Sequence, residues 1–374
     1  MVHMPTNAAA WLGAKQAKLE IKPAPYTPPR ENEIVIRNHA VAINPIDWIL
    51  QDVGSFIFPW IKYPFILGSD CAGEVAEVGL KVTRFKVGDR VLGHAIGTDK
   101  KRNRAAEGAF QEYTVLLAGM SSPIPTNLPY ESAAVLPLGL STAACGLFQK
   151  DHLALEYPSL TPKPNGKTVL IWGGSTSVGS NAIQLAVAAG YEVITTASPT
   201  NFEYVTRLGA AQVFDYHSKT VVQAVTQALE GKNFAGALAI GAGSAEPCAD
   251  IVSAAKGVKF ISTASTSVSF GSLPPRAGTG AILPVLLRIV GSTIAFTIKL
   301  KMRHIGTKAI FGTTLADNEV GSLIYNNYLP QALAAGSFVA APEPQIIGKG
   351  LEQIQPGLEL QKKGVSARKL VVSL

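Results

Sequence analysis

The feature that most constrains the fold is an unbroken apolar run that leads directly into a Gly/Ser-rich loop and then a helical stretch. The run is 168–172, the loop is 173–179, and the helical stretch is 181–189, which ends at Gly190. Such runs are typical of parallel strands that are covered on both faces. Glycines let the backbone turn tightly and approach a pyrophosphate, and the start of a helix offers free N–H groups. We therefore predict a dinucleotide-binding unit, although the spacing departs from strict G-x-G-x-x-G and leaves a plain strand–helix turn open.

Strands and helices continue to alternate after this unit. The pattern predicts helices near 202–208 and 221–229, with strands at 192–196, 212–214, 237–240 and 258–262. Regular alternation of this kind is typical of a doubly wound parallel sheet. The expected fold class is therefore α/β, with a Rossmann-type domain over 161–310.

A different pattern precedes the parallel sheet. Short strand-like runs at 33–37, 71–79 and 87–93 are separated by Gly and Pro, which are turn signals. They predict a small β-barrel-like module. A helix near 351–360 and a terminal strand at 369–373 close the chain.

Composition excludes a disordered chain and leaves the kind of charged partner open. The chain has 374 residues, 47% of them hydrophobic and only 16% charged, so it can bury a large core and is not a disordered chain. The net charge of +7 is scattered, and its densest run is 100–104. That run is interpreted as a solvated loop, with a nucleic-acid patch as the alternative, and the positive excess equally fits an anionic small molecule.

The lack of a secretory signal pattern and the small number of cysteines favour a soluble cytoplasmic protein. Three cysteines are too few for a disulfide framework, and the N-terminus lacks the basic and apolar segments of a secretory signal. The longest apolar stretch, 281–298, is interrupted by Pro284 and Arg288. A charged residue in mid-span is costly in a bilayer, so we expect a soluble helix followed by a buried strand, and no membrane partner.

The end of the second predicted strand bears on the cofactor. NAD-binding domains usually carry an Asp or Glu there, which accepts a hydrogen bond from the ribose 2′-hydroxyl. Here the strand runs into 197–201, Ala-Ser-Pro-Thr-Asn, without an acid. Ser198 and Asn201 are able to donate to a 2′-phosphate, or to cap a helix, or both. The interpretation favours NADPH.

Several short motifs share their order and spacing with a known family. With the glycine loop, they make the chain resemble the medium-chain dehydrogenase/reductase superfamily over essentially its whole length. Within it, the chain is similar to fungal zinc-binding-oxidoreductase-like proteins, trans-acting enoyl reductases and quinone oxidoreductases. The resemblance implies a GroES-like, β-barrel-type catalytic domain over 1–160, completed by 311–374, beside the Rossmann domain. The motifs lie at 42–48, 64–70, 73–75, 87–91, 138–143 and 364–372.

The resemblance also implies a cofactor in the cleft between the domains. Pyrophosphate would be held by the glycine loop, the 2′-phosphate by the residues after the second strand, and nicotinamide by the N-terminal domain. Thr142 and Asp47 are the candidate catalytic residues: Thr142 would position the cofactor and the substrate, and Asp47 would support its loop. The structural alternative for Thr142 is a residue at a helix N-terminus, and for Asp47 a turn or cap residue. The cofactor-binding candidates are Asn44, Pro45, Asp47, Thr142, Gly174, Ser175, Thr176, Ser177, Val178, Ser198, Asn201, Tyr216, Val365 and Ser366.

Two departures from the family pattern matter. Alcohol dehydrogenases of the superfamily bind zinc through a Cys, a Gly-His-Glu segment and a later Cys or Asp. Here Gly68 is followed by Ser69 and Asp70, and Asn44 stands in the first ligand region, so we expect no bound metal. In addition, 48–50 reads Trp-Ile-Leu where several enoyl reductases carry a Lys, which weakens any transfer of their substrate.

The leading functional hypothesis is a zinc-independent, NADPH-dependent reductase of activated C=C bonds in enoyl thioesters, enones or quinones. A zinc-type alcohol dehydrogenase and a non-catalytic NADPH-binding sensor are the alternatives. Apolar segments at 54–63 and 267–287 suggest a small hydrophobic substrate, with a thioester among the candidates. We expect no nucleic-acid partner, and a homo-oligomer stays open.

Overall fold

The structure, a computed structural model, describes residues 5–265 and 278–374. These residues form two compact units. The first comprises 5–138 and 315–374, and the second 139–265 and 278–314. The sequence assigned 139–160 and 311–314 to the first part, so the boundaries differ. The reason is local packing, because Gly146 lies against Leu238 and Ile310 of the second unit and its carbonyl accepts a hydrogen bond from Ser262 Oγ.

Strands and helices of the described residues are numbered here along the chain. The strands are β1 (Asn7–Leu12), β2 (Leu19–Ala24), β3 (Glu33–Ala42), β4 (Phe65–Ile66), β5 (Asp70–Val78), β6 (Arg90–His94), β7 (Tyr113–Leu117), β8 (Ser121–Pro123), β9 (Lys167–Trp172), β10 (Glu192–Ala197), β11 (Gln212–Asp215), β12 (Asn233–Ala239), β13 (Phe260–Thr263), β14 (Gly306–Ala309), β15 (Glu343–Lys349) and β16 (Arg368–Ser373). The α-helices are α1 (Pro45–Ile57), α2 (Tyr130–Ala133), α3 (Pro137–Phe148), α4 (Ser177–Ala188), α5 (Phe202–Arg207), α6 (Val221–Ala228), α7 (Ala245–Ala254), α8 (Thr279–Met302), α9 (Glu319–Ser322), α10 (Leu329–Ala335) and α11 (Ile354–Lys363).

The first unit is built on a mixed sheet in the order β15-β16-β3-β5-β6-β8, with β7 also paired to β3, and a small sheet in the order β2-β1-β4. Its pairings are antiparallel except for the parallel pair β15–β16. The register places Ala42 opposite both Asp70 and Val371. The end of β3, the start of β5 and the C-terminal strand therefore meet where α1 begins.

The second unit contains six parallel strands in the order β11-β10-β9-β12-β13-β14. Counted along the chain from β9, this is the order 3-2-1-4-5-6 of a doubly wound sheet. The predicted α/β fold class is confirmed. The strand order reverses between β9 and β12, and in such sheets ligands bind beyond the carboxyl ends of the strands at this reversal.

One predicted element is wrong. The apolar stretch 281–298 does not divide into a helix and a buried strand, because α8 runs unbroken from Thr279 to Met302. The residues expected to interrupt the stretch, Pro284 and Arg288, both lie within the helix. Among the described side chains of α8, Ile282 and Leu300 are buried, and the exposed large residues are Leu283, Leu287, Val290, Ile294, Ile298 and Met302.

By length and composition, two helices in the described part of the chain are apolar enough to cross a membrane. One is the helical stretch Tyr130–Phe148, which spans α2 and α3 and has 78% of its apolar window buried, and the other is Gly280–Met302 within α8, with 6% buried. The expectation of no membrane partner stays a prediction.

The basic run at 100–104 has a structural role. Arg102 and Arg104 both contact the carboxylates of Glu33 and Glu107, which are buried. Lys101 pairs with Asp317. Because these cations already neutralise carboxylates of the first unit, the run is largely engaged within the protein.

Candidate functional site

The glycine loop, Gly173–Gly179, joins β9 to α4. Gly173 has a φ of 88°, a left-handed conformation that favours glycine. A Cβ on Gly179 would lie 2.2 Å from the carbonyl oxygen of Gly173, so the start of α4 packs directly on the loop backbone. The loop is held to β10 by a hydrogen bond of 2.9 Å from Gly174 N–H to the Thr196 carbonyl. The sequence thus folds here into a tight strand–loop–helix turn.

The first turn of α4 is capped from within the loop. Thr176 Oγ1 accepts a hydrogen bond from Gly179 N–H at 3.0 Å and donates to the Gly173 carbonyl at 2.7 Å. The hydroxyl of Ser177 is buried and has no hydrogen-bond partner in the described part of the chain. Buried polar groups are normally paired, so this hydroxyl suits a polar ligand at the helix start. Ser175 and Val178, also predicted here, are half-buried.

The carboxyl ends of β10 and β11 bring together the residues predicted for the adenosine end. Ala197 and Asp215 are register partners, so Ser198 and Tyr216 follow neighbouring strands. Asn201 Nδ2 donates to Ser198 Oγ at 3.0 Å, which supports both residues as one polar group. Tyr216 is exposed and its ring lies against that of His217.

Thr142 lies in α3, half-buried, within a helix that packs closely on its neighbours. A Cβ on Gly139 would lie 2.5 Å from Ser177 Oγ, so α3 passes directly beside the first turn of α4. Gly312 is close enough that a Cβ there would lie 3.1 Å from Thr142 Oγ1. The structure therefore brings the helix of Thr142 to the glycine loop.

In the first unit, polar side chains converge at the start of α1. Lys369 Nζ lies 2.8 Å from Asp70 Oδ2 and also donates to Asn44 Oδ1. Asn44 Nδ2 donates to the same Asp70 oxygen at 2.9 Å. The other Asp70 oxygen accepts a hydrogen bond of 2.6 Å from Leu138 N–H. We call Asn44, Asp47, Asp70 and Lys369 the Lys369 cluster; the side chain of Lys369 is only 4% exposed and that of Asp70 is 0% exposed.

Asp47 supports the turn into α1. Its Oδ2 accepts a hydrogen bond of 2.8 Å from Asn44 N–H, while Oδ1 is buried without a partner among the described residues. Burial raises the pKa of Asp47 to about 7, with a further contribution from the Asp70 charge, and the Asn44 N–H and Lys369 act against it. Neighbouring His94 is also buried, which lowers its pKa to about 4 and leaves it neutral at pH 7.

The remaining predicted residues of the first unit lie on either side of this cluster. Pro45 is the exposed first residue of α1. Val365 is half-buried and Ser366 exposed in the segment that leads into β16, the strand of Lys369. The structure thus assembles the candidates as two groups, one in each unit.

Sequence reasoning missed Lys369 as a functional candidate and quoted Asp70 only within a motif. The available signal was that Lys369 belongs to the terminal run Lys-Leu-Val-Val, which is otherwise apolar. In an exposed strand such a lysine would point to solvent. It also missed Tyr204, whose hydroxyl lies 2.7 Å from Ser180 Oγ on α4. A tyrosine three residues after Asn201 carried no recognisable pattern.

Comparisons with known proteins agree with this architecture. Residues 30–126 match the alcohol dehydrogenase GroES-like domain. Dehydrogenase pigH of Monascus ruber is 56% identical over 373 residues, covering 99% of this chain and 100% of that protein. Trans-enoyl reductase himH of Aspergillus japonicus is 39% identical over 370 residues, covering 98% and 97%. The Escherichia coli quinone oxidoreductase complexed with NADPH has a similar fold, with a TM-score of 0.67 at 20% identity, covering 99% of this chain and 100% of that chain.

The doubly wound sheet, the glycine loop at its strand reversal and the GroES-like domain define a class of dinucleotide-binding oxidoreductases. The chain belongs to the medium-chain dehydrogenase/reductase superfamily. Within it, the relatives named dehydrogenase and trans-enoyl reductase support an oxidoreductase activity for this chain.

The zinc of the superfamily's alcohol dehydrogenases does not fit the residues of the Lys369 cluster. Zinc takes thiolate, imidazole or carboxylate ligands, and here Asn44 and Asp70 are already bonded to an ammonium group. Burial raises the pKa of neighbouring Cys71, so its thiol stays protonated. Among the described residues, no three His, Cys, Asp or Glu side chains converge to hold a metal ion.

Proposed function

We propose that this chain is an NADPH-dependent, zinc-independent reductase of activated C=C bonds in enoyl thioesters, enones or quinones. The observation that carries the proposal is the glycine loop at the strand reversal. At the start of α4 this loop holds the buried hydroxyl of Ser177, which has no hydrogen-bond partner among the described residues. Full-length similarity to proteins named trans-enoyl reductase supports the reaction class.

The second unit fits a dinucleotide. The N–H groups at the start of α4, with the positive end of the helix dipole, would hold the pyrophosphate. Ser175, Thr176, Ser177 and Val178 would surround it. Bound there, NADPH would supply the hydride for the reduction.

The choice of NADPH rests on the end of β10. No carboxylate follows that strand, and Ser198 and Asn201 offer a hydroxyl and an amide instead. The acid at the end of the neighbouring strand β11 is Asp215, the register partner of Ala197. Its carboxylate accepts a hydrogen bond of 3.0 Å from His217 N–H. This arrangement puts polar, uncharged groups at the end of β10, where a carboxylate would repel a 2′-phosphate.

Without zinc, hydrogen-bond donors would stabilise the charge that develops on the substrate carbonyl. Thr142 is the candidate donor or positioning residue, because its helix passes beside the glycine loop. Asp47 supports the start of α1 through Asn44 N–H and does not need to transfer a proton.

The rim of the substrate site is part of the same proposal. Helix α1 ends at Ile57, and the rings of Phe58 and Trp60 then meet edge to face at 5.1 Å. These apolar groups favour a small hydrophobic substrate. In the other predicted segment, 267–277 lies outside the described residues. A cytoplasmic location, the absence of nucleic-acid and membrane partners, and any homo-oligomer stay predictions.

The proposal is tested by following NADPH oxidation against enones, enoyl thioesters, quinones and simple aldehydes. We expect turnover with at least one conjugated alkene, a saturated product, and no loss of rate after chelation. Alcohol oxidation that a chelator abolishes would support the zinc enzyme instead. Tight NADPH binding without oxidation of any conjugated substrate would support the sensor.

Thr142→Val tests the catalytic assignment. The change keeps the shape and removes the hydroxyl, so kcat should fall roughly ten- to a thousandfold, the effect of losing one positioning or oxyanion contact. Thr226→Val, on α6 of the same unit, is the matched control and should leave kcat unchanged. An unchanged kcat in Thr142→Val would remove Thr142 from the mechanism.

A further inference from the structure

The Lys369 cluster contains its own cation. Lys369 comes from β16, Asp70 from β5 and Asn44 from the turn before α1, and all three side chains are buried. An unpaired charge in such a place would be strongly destabilising, so the ammonium and the carboxylate must be regarded as one unit.

The hydrogen bonds also fix the direction of the Asn44 amide. An ammonium group can only donate and an ionised carboxylate can only accept. Asn44 Oδ1 must therefore face Lys369, and Nδ2 must face Asp70, as the structure has them. Lys369 requires the amide oxygen on its side, and Asp70 requires the amide nitrogen on the other.

We infer that the Lys369 ammonium is the resident cation of this cluster: it balances the charge of the Asp70 carboxylate and positions the amide of Asn44 against it. Lys369 is thus a positioning residue, acting through Asn44. The part of this inference that concerns cofactor binding rests on the proposed function; the parts that concern stability and metal binding do not.

The stability test uses Lys369→Met. The variant leaves the Asp70 carboxylate buried without its cation, so the thermal midpoint should fall by roughly 5–15 °C. Lys18→Met is the matched control, because the Lys18–Glu359 pair is exposed, with 3.1 Å between Nζ and Oε1. Such surface pairs contribute little, and its midpoint should stay within about 2 °C of the wild-type value.

The double variant Lys369→Met/Asp70→Asn separates charge from positioning. It removes both charges, and the Asn44 amide can turn so that its oxygen accepts from the amide introduced at position 70. We expect more than half of the lost thermal midpoint to return. An equal loss in the single and double variants, or no loss in the single variant, would contradict the ion-pair assignment.

Kinetics then distinguish positioning from a merely structural role. By resemblance Asn44 lies on the nicotinamide side of the cofactor, so an Asn44 amide without a fixed direction should raise the KM for NADPH at least about tenfold in Lys369→Met. The rise should persist in the double variant even where its thermal midpoint recovers, with a smaller change in kcat. If the KM for NADPH recovers together with the midpoint, Lys369 is structural only. If the wild type neither oxidises nor binds NADPH, the proposed function fails while the stability result still decides the ion pair.

A metal-binding test completes the experiment. Wild-type protein incubated with zinc chloride and then desalted should retain well under one equivalent of zinc. Stoichiometric zinc that Asp70→Asn abolishes would overturn the inference, because the cluster would then accept a metal ion in spite of Lys369.

Discussion

The glycine loop and the Lys369 cluster are built on opposite principles. The loop is one continuous segment whose backbone groups are held by short-range hydrogen bonds, several of them to threonine hydroxyls, and by close contacts that leave no room for a Cβ. The cluster draws its side chains from positions between Asn44 and Lys369, and its interactions are between charged or amide groups. A loop of the first kind depends on the absence of side chains. A cluster of the second kind depends on the identity of each side chain.

The difference predicts opposite sensitivities to substitution. Adding a single methyl group should be most damaging in the loop, where backbone atoms occupy the space. Changing a charge without changing shape should be most damaging in the cluster, where the surroundings are buried and poorly screened.

The largest effect is expected for Gly179→Ala. The added Cβ would lie 2.2 Å from the Gly173 carbonyl oxygen and 2.7 Å from the Gly174 Cα, so the loop backbone must move. We expect NADPH affinity to fall roughly a thousandfold, on the order of 4 kcal/mol, as measured by fluorescence titration.

Gly291→Ala provides the control for this change. Gly291 lies within α8 of the same unit, and a Cβ there would meet nothing within 4 Å. Replacing a helical glycine by alanine stabilises a helix by about 1 kcal/mol, and NADPH affinity should not change. A Gly179→Ala protein that binds NADPH as well as Gly291→Ala does would show that the loop is not the pyrophosphate site.

The two regions also differ in how far the sequence could predict them. The glycine loop was predictable because strand, loop and helix are consecutive, and the role of each small residue is local. The Lys369 cluster was not, because no local pattern reveals that Lys369 is buried beside Asp70 on a distant strand. The second half of α8 was predicted wrongly for a different reason. Its apolar residues have a high preference for strands, but they continue as one helix.

Asp47→Asn should change how stability depends on pH. The folded-state pKa of Asp47 is about 7, above its ordinary value of 3.8. Between these values the folded protein keeps a proton that the unfolded chain has released, so stability falls as pH rises through this window. Urea titrations should show the free energy of unfolding of the wild type, relative to Asp47→Asn, falling by about 2–3 kcal/mol from pH 5 to pH 8.

The surroundings of Asp47 allow this interpretation. Asp70 and Lys369 are paired with each other, and His94, whose pKa burial lowers to about 4, is already neutral in that range. Asp317→Asn is the control, because Asp317 is an exposed carboxylate paired with Lys101, and its curve should run parallel to that of the wild type. Parallel curves for Asp47→Asn as well would mean that Asp47 does not hold a proton at neutral pH.

The smallest expected effect returns to the loop side of the comparison, at the end of β10. Ser198 precedes a short 3-10 turn over Pro199–Asn201, and aspartate is well tolerated at such a cap position. Its hydroxyl lies 3.2 Å from Thr200 Oγ1 and accepts from Asn201 Nδ2. A carboxylate can accept both hydrogen bonds, so Ser198→Asp should fold normally.

Ser198→Asp should shift the cofactor preference from NADPH towards NADH by about tenfold, on the order of 1.4 kcal/mol, because its charge repels a 2′-phosphate. Ser159→Asp adds the same charge elsewhere in the second unit, next to the end of α4, where Ser159 N–H donates to the Ala188 carbonyl. It should leave the NADPH/NADH ratio of kcat/KM unchanged. A ratio that shifts equally in both variants would reflect net charge alone. If neither variant shifts it, the 2′-phosphate is recognised away from Ser198, and the specificity of this unit would rest on side chains outside the end of β10.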